Sequence, residues 1–265
     1  MWYSDTGASI PYNALAIGTK AALIASGPWL SLGCETTMTD YAAIYANQAD
    51  QYEALIARED YQHALLPAIK AITPLAGIDV AELGAGTGRL TRLLAPEVRS
   101  ISAFDRSPAM LARARRELAL LPVENWQLGV ADHRHIPLPA ASADLVIAGW
   151  TICYAALWSE HNWRSDLDQV FGEIARILRP NGKIIIIETQ GTGYTSPNPP
   201  SELADYFAYL EEHAFQQTWI RTDYQFQNLV EAVELTRFFF GDALADQLQE
   251  QQSCILPECT GIWWK

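Results

Sequence analysis

Positive charge is what this 265-residue chain has least of: 18 Lys and Arg face 31 Asp and Glu, for a net charge of −13. Nucleic-acid binding rests on neutralising phosphates with Lys and Arg, so this balance disfavours a nucleic-acid substrate. A cationic ligand, by contrast, suits an acidic cleft. Cysteine is sparse as well. Cys34, Cys153, Cys254 and Cys259 form no disulfide framework. Cys254 and Cys259 lack the second ligand pair that structural zinc takes. The four read as free thiols in a reducing cytosol. No apolar run suits a transmembrane helix, because Ala14–Leu32 is interrupted by Lys20, Gly27 and Pro28. A secretory leader opens on positive charge, whereas the first charge here is Asp5. No H-x-x-x-H or carboxylate cluster marks a metal site.

What is present is a globular composition, 49% hydrophobic and 18% charged, in a chain long enough for one large domain with a sizeable core. Residues 1–37 stand apart, with Asp5, Lys20 and Glu35 as their only charges. They read as a non-essential extension, and 38–265 as the domain. Asp40 to Asp60 is helical in character and rich in tyrosine, including Tyr41, Tyr45 and Tyr52, and Leu65, Ile69 and Ile72 continue at helical spacing. Strands are then expected at Ile78–Leu83, Ile101–Phe104, Asn125–Ala131, Asp144–Ala148 and Lys183–Thr189. Helices fall between them at Gly88–Ala95, from Ser107-Pro108 onward, and along the stripe Leu167 to Leu178. Alternation of this kind implies a doubly wound, mainly parallel α/β sheet. A helix at Ser201–Phe215, a strand at Trp219–Phe226, a helix at Asn228–Gln249 and a strand at Ser253–Trp264 bring the sheet to seven strands.

The most informative string is Val80-Ala81-Glu82-Leu83-Gly84-Ala85-Gly86-Thr87-Gly88-Arg89-Leu90. A buried strand feeds a helix through a turn rich in glycine, which tolerates positive φ and keeps no Cβ between backbone and ligand. A dinucleotide fingerprint, G-x-G-x-x-G, wants a small third residue where this chain has Arg89. The string reads E-x-G-x-G-x-G instead. It resembles motif I of the class I S-adenosylmethionine (SAM) dependent methyltransferases. Leu178-Arg179-Pro180-Asn181-Gly182 is similar to that family's turn into strand five, with Asn181 in place of a glycine.

The resemblance implies a Rossmann-like methyltransferase fold with N-terminal lid helices, SAM as cofactor, and roles for residues at successive strand ends. Glu82 would lie near the cofactor's methionine amine. Gly84, Gly86 and Gly88 would let the backbone approach it. Asp105 would accept from the ribose hydroxyls, and Met110 would pack on the adenine. Asp132 would accept from the adenine amine with His133 adjoining, and Gly149 and Trp150 would line the methionine end. Tyr52 would contribute to the lid.

No catalytic residue is nominated. The [D/N]-P-P-[Y/F] motif of many amino-group methyltransferases is replaced by Ala148-Gly149-Trp150-Thr151. Tyr154, His161 and Tyr194 are possible bases, and His135 reads as a loop residue. The expected activity is methyl transfer to a small molecule by in-line displacement. Two alternatives stand beside it: a non-catalytic SAM-binding regulatory protein, and a nicotinamide-dependent oxidoreductase.

Overall fold

The computed structural model describes residues 41–159 and 162–265. The expectation for residues 1–37 lies outside the described residues. Three helices lead: α1 (Tyr41–Asn47), α2 (Ala49–Ile56) and α3 (Leu65–Ile72). Then β1 (Asp79–Leu83), α4 (Arg89–Leu94), β2 (Ser100–Asp105), α5 (Pro108–Leu118), β3 (Trp126–Val130) and β4 (Ala143–Gly149) alternate. After β4 come the short α6 (Cys153–Leu157), α7 (Trp163–Ile177) and the long β5 (Leu178–Thr192). The remainder is α8 (Ala204–Glu212), β6 (Gln216–Arg221), β7 (Tyr224–Gln225), α9 (Leu229–Phe240), α10 (Asp242–Gln251), β8 (Ile255–Leu256) and β9 (Glu258–Trp264).

The seven-stranded sheet has the order β3-β2-β1-β4-β5-β9-β6. Pairing is parallel from β3 to β5, and β9 runs antiparallel to both β5 and β6. Helices cover both faces, so the centres of its inner strands are largely apolar. The isoleucine run shows this directly: Ile184 and Ile186 pack in the cluster shared with α7 and α8, and Ile185 and Ile187 in the one shared with α3 and α4. Strand order reverses between β1 and β4, and the carboxyl ends of those strands open the crevice where such sheets bind ligands.

Several boundaries differ from the sequence expectation. The helix expected over Asp40–Asp60 is two, divided at Gln48, whose φ of −127° and ψ of 36° leave the helical region. The strand expected at Trp219–Phe226 ends at Arg221, and Tyr224–Gln225 pairs instead with Ile255–Leu256 in a separate ribbon. Asp223 fixes that departure by accepting from the Glu258 N–H and pairing with Arg221. The helix expected over Asn228–Gln249 breaks at Gly241, whose φ of +87° no helix accommodates. The strand expected over Ser253–Trp264 breaks at Pro257, which has no N–H for a ladder. Asn181 takes φ of +66°, the left-handed conformation that asparagine tolerates better than most residues.

Candidate active site

The floor of the crevice is the loop from Gly84 to Gly88. Gly84 and Ala85 both donate N–H bonds to the Phe104 carbonyl, at 2.8 and 2.9 Å, stitching the loop to the end of β2. Gly86 donates to Asp105 Oδ2 at 2.8 Å and Ser107 to Asp105 Oδ1 at 2.8 Å. A carboxylate offers about four lone-pair sites, so Asp105 keeps acceptor capacity on both oxygens. Burial raises its pKa, and the two backbone N–H groups oppose the shift.

The three glycines serve different ends. A Cβ at Gly84 would strike the Thr151 side chain, so this glycine lets the segment after β4 lie on the loop. A Cβ at Gly88 would stand 3.2 Å from Ala114 Cβ, and its φ of +87° caps α4. Gly86 differs: its Cβ would meet a single atom, Tyr52 Cε1, at 3.9 Å. Gly86 is therefore the position where the backbone faces open space.

Glu82 lies beneath this loop, 1% exposed, with Oε2 accepting from Thr91 Oγ1 at 2.5 Å. Burial pushes its pKa up to about 8. Met110 is 1% exposed, its side chain buried within the domain, and its N–H is bound by the Ser107 cap at the start of α5. Asp132 is held well below the usual carboxylate range by Arg134, which meets both its oxygens at 2.9 Å. His133 shares a 3.0 Å hydrogen bond with Thr151 Oγ1, and burial pulls its pKa down to about 4, so the ring is neutral. Gly149 ends β4, where a Cβ would meet Leu90 Cδ1 at 2.7 Å, a helix-packing contact.

The roof is aromatic. Tyr52 of α2 stands over Gly86, and Tyr45 of α1 is tied to the floor because its carbonyl accepts from Ser107 Oγ at 2.8 Å. Tyr45 and Tyr154 share a hydroxyl bond of 2.7 Å. Ring contacts then link Tyr45 to Tyr52, Tyr52 to Phe239, Phe239 to Tyr41, and Tyr154 to Trp158. Burial raises the pKa of Tyr45, Tyr52 and Tyr154, so their hydroxyls stay protonated. Trp150, which the resemblance would place at the cofactor's methionine end, adopts φ of +51°, a strained conformation for a bulky residue. Glu188, 1% exposed, accepts from the Cys153 N–H at 3.0 Å and from Tyr206 at 3.2 Å, and so clamps the segment that carries Thr151.

Of the possible bases, Tyr154 joins the roof. Tyr194 is 50% exposed and His135 sits on the exposed loop after β3. His161 lies outside the described residues.

Residues 81–186 match a family described as a methyltransferase domain. That stretch, from within β1 to within β5, is what the chain shares with methyltransferase domains. Over 152 residues it is 29% identical to a malonyl-[acyl-carrier protein] O-methyltransferase of Serratia marcescens, covering 57% of this chain and 53% of that one. Over 121 residues it is 29% identical to a demethylmenaquinone methyltransferase of Tropheryma whipplei, covering 46% of each. The chain thus spans about half the length of these curated relatives. A phosphoethanolamine N-methyltransferase of Haemonchus contortus, solved with phosphomonomethylethanolamine and S-adenosylhomocysteine, shares the fold. Its TM-score is 0.56 at 18% identity, over 85% of this chain and 59% of that one. A SAM-dependent methyltransferase of Aquifex aeolicus aligns with a TM-score of 0.50 at 15% identity, over 85% and 93% of the two chains.

The floor of the crevice fits SAM on its own geometry. Gly86 offers an uncovered backbone surface, and Asp105 has lone pairs to spare beside it. Sequence reasoning missed the residues that brace the site from afar, among them Glu59, Glu188 and Phe239. Glu188 had a visible signal, as an acid immediately after four isoleucines. Among the described residues no group of His, Cys, Asp and Glu is arranged to hold a metal ion. None of their helices is long and apolar enough to cross a membrane.

Proposed function

We propose that the chain transfers the methyl group of SAM to a small-molecule acceptor by in-line displacement. The observation that carries this reading is the pairing of an open Gly86 with an Asp105 pre-aligned by two backbone N–H groups, under a roof of tyrosines. SAM supplies a methyl carbon already activated by its sulfonium sulfur. The chain's own part is to bind, orient and exclude water. Asp105 accepts from the ribose hydroxyls, and the buried Glu82 faces the ammonium end. Trp150 and Thr151 form the wall beside the transferred group, and Tyr45, Tyr52 and Tyr154 keep water from it. Orientation of this kind is worth about 7–11 kcal/mol of a bimolecular barrier. A positioned base adds about 10²–10⁴-fold, so transfer does not depend on a dedicated proton acceptor.

The relatives named above act on malonyl-[acyl-carrier protein] and on demethylmenaquinone, two chemically different acceptors, and the likeness favours neither. Calorimetry with SAM, S-adenosylhomocysteine (SAH) and NAD tests the cofactor, and labelled SAM with a metabolite pool tests the transfer. SAM and SAH are expected to bind and NAD not to. NAD binding without SAM binding overturns the reading. Tight SAM binding with no labelled product favours a non-catalytic SAM-binding protein.

A further inference from the structure

Arg89 is the first residue of α4, immediately past the glycine loop. Its side chain, 15% exposed, pairs through Nη1 with Glu59 Oε2, and its guanidinium lies over the Trp150 ring, 4.4 Å from the centroid. The pair with Glu59 has one prong. Glu59 Oε2 also accepts from the Tyr224 hydroxyl, and Oε1 takes Thr222 Oγ1, so the carboxylate does not complete the fork that arginine offers. Arg89 Nη2 is left buried without a hydrogen-bond partner. A guanidinium does not shed its charge. A buried charged N–H without an acceptor is costly, and native structures seldom keep one.

The place of this spare donor matters. Arg89 follows the loop after β1, and Trp150 follows β4. Those two segments flank the crevice at the point where strand order reverses. Asp105 lies at the end of β2, on the other side of the loop. With the ribose at Asp105, as the reading above has it, the amino-acid end of the cofactor lies toward Arg89. That end carries the cofactor's only anionic group. We propose that Arg89 binds the α-carboxylate of the cofactor through Nη2, with Glu59 and Trp150 holding the guanidinium in place. The zwitterion then meets a matched pair: Arg89 for its carboxylate and Glu82 for its ammonium. This also gives a reason for a long basic side chain where a dinucleotide-binding turn needs a small one.

The inference rests on the cofactor reading, and calorimetry on the full chain separates the two. The probes are SAH and 5′-methylthioadenosine, which keeps the adenosine and thioether but has no amino-acid end. Arg89→Gln is expected to weaken SAH by about 10–100-fold, the size of a charge-assisted bond, and methylthioadenosine by less than about threefold. Equal losses for both ligands make Arg89 only a brace of the loop and overturn the proposal, as does no loss for either. A second measurement needs no variant. The unaltered chain is expected to bind decarboxylated SAM at least about tenfold more weakly than SAM, and equal affinities overturn the proposal. If the unaltered chain binds neither SAH nor methylthioadenosine, the cofactor reading itself fails.

Discussion

The floor and the roof of the site are built on different principles. The floor is backbone: N–H groups of Gly84, Ala85, Gly86 and Ser107 reach acceptors on Phe104 and Asp105. The roof is side chain, with rings drawn from α1, α2, α6 and α9. A floor made of peptide groups tolerates little change, because each N–H is placed by the strand beside it. A roof of rings can exchange one ring for another and still close. On the function proposed above, the floor suits one fixed ligand and the roof suits a choice of acceptor.

The hardest way to break the floor is Gly86→Val. A β-branched residue at φ of +53° is strained, and its methyls would enter the open space proposed for the cofactor. Affinity for SAM is expected to fall by more than about 100-fold, against the tenfold per 1.4 kcal/mol scale. Calorimetry checks this on protein shown to be folded by circular dichroism, and retained affinity would remove Gly86 from the floor.

Asp105→Ala comes next. It deletes the proposed ribose acceptor and frees the Gly86 N–H, for an expected loss of about 10–100-fold in SAM affinity. Asp105→Asn keeps one acceptor oxygen and should lose less. Identical affinities for the wild type and Asp105→Ala would move the ribose elsewhere.

Acids under the floor and beside the roof give a comparison in pH. Burial raises Glu82 and Glu258 to about 8 and Glu188 to about 7, from an ordinary 4.5. For Glu258 the nearby Glu59 carboxylate adds to the burial. The folded state holds these protons more tightly than the unfolded chain. Their contribution to stability is therefore complete below the unfolded pKa and is lost as pH rises through 7 to 8. Asp79 and Asp132 are shifted the other way, by Arg99 and Arg134, and lose their contribution only on strong acidification. Melting temperature without ligand is expected to fall between about pH 5 and about pH 9. Glu258→Gln, which cannot ionise, should flatten that slope, and an unchanged slope would assign the dependence to the other acids.

The smallest effect is expected in the roof. Tyr154→Phe removes the hydroxyl bond to Tyr45, worth about 0.5–1.5 kcal/mol net, while leaving the ring contacts with Tyr41 and Trp158. SAM affinity should stay within about threefold and turnover within about tenfold of the wild type. A loss of turnover of about 10⁴-fold at unchanged SAM affinity would make this hydroxyl a base and not a strut.

The same contrast explains what could be read from the sequence. Glu82 and Gly86 lie in one short string and Asp105 ends the next strand, so spacing and the resemblance to motif I point to them, whereas Arg89 entered that reading only as the residue that disfavours a dinucleotide turn. The roof and braces join residues far apart in the chain: Tyr45 to Tyr154, Glu59 to Thr222, Tyr52 to Phe239. No local pattern links such positions. The division of labour among the three glycines was equally hidden, because a glycine needed for φ and one needed for space look alike in sequence. Gly241 and Pro257 did carry visible signals, and both break the elements they fall in.

The last strand in chain order, β9, does not sit at the rim of the sheet but between β5 and β6. Proteins are made from the N-terminus at about 5–20 residues per second, so β5 emerges on the order of several seconds before the strand that closes its flank. During that interval the run Ile184–Ile187 offers an unpaired backbone edge, the kind of surface on which neighbouring chains pair wrongly. The half of the sheet that holds the glycine loop is complete before this exposure begins, and the half that closes the domain must wait for Glu258–Trp264. Those seven residues therefore close the flank of β5 and end the exposure of its edge, quite apart from anything they contribute to the site.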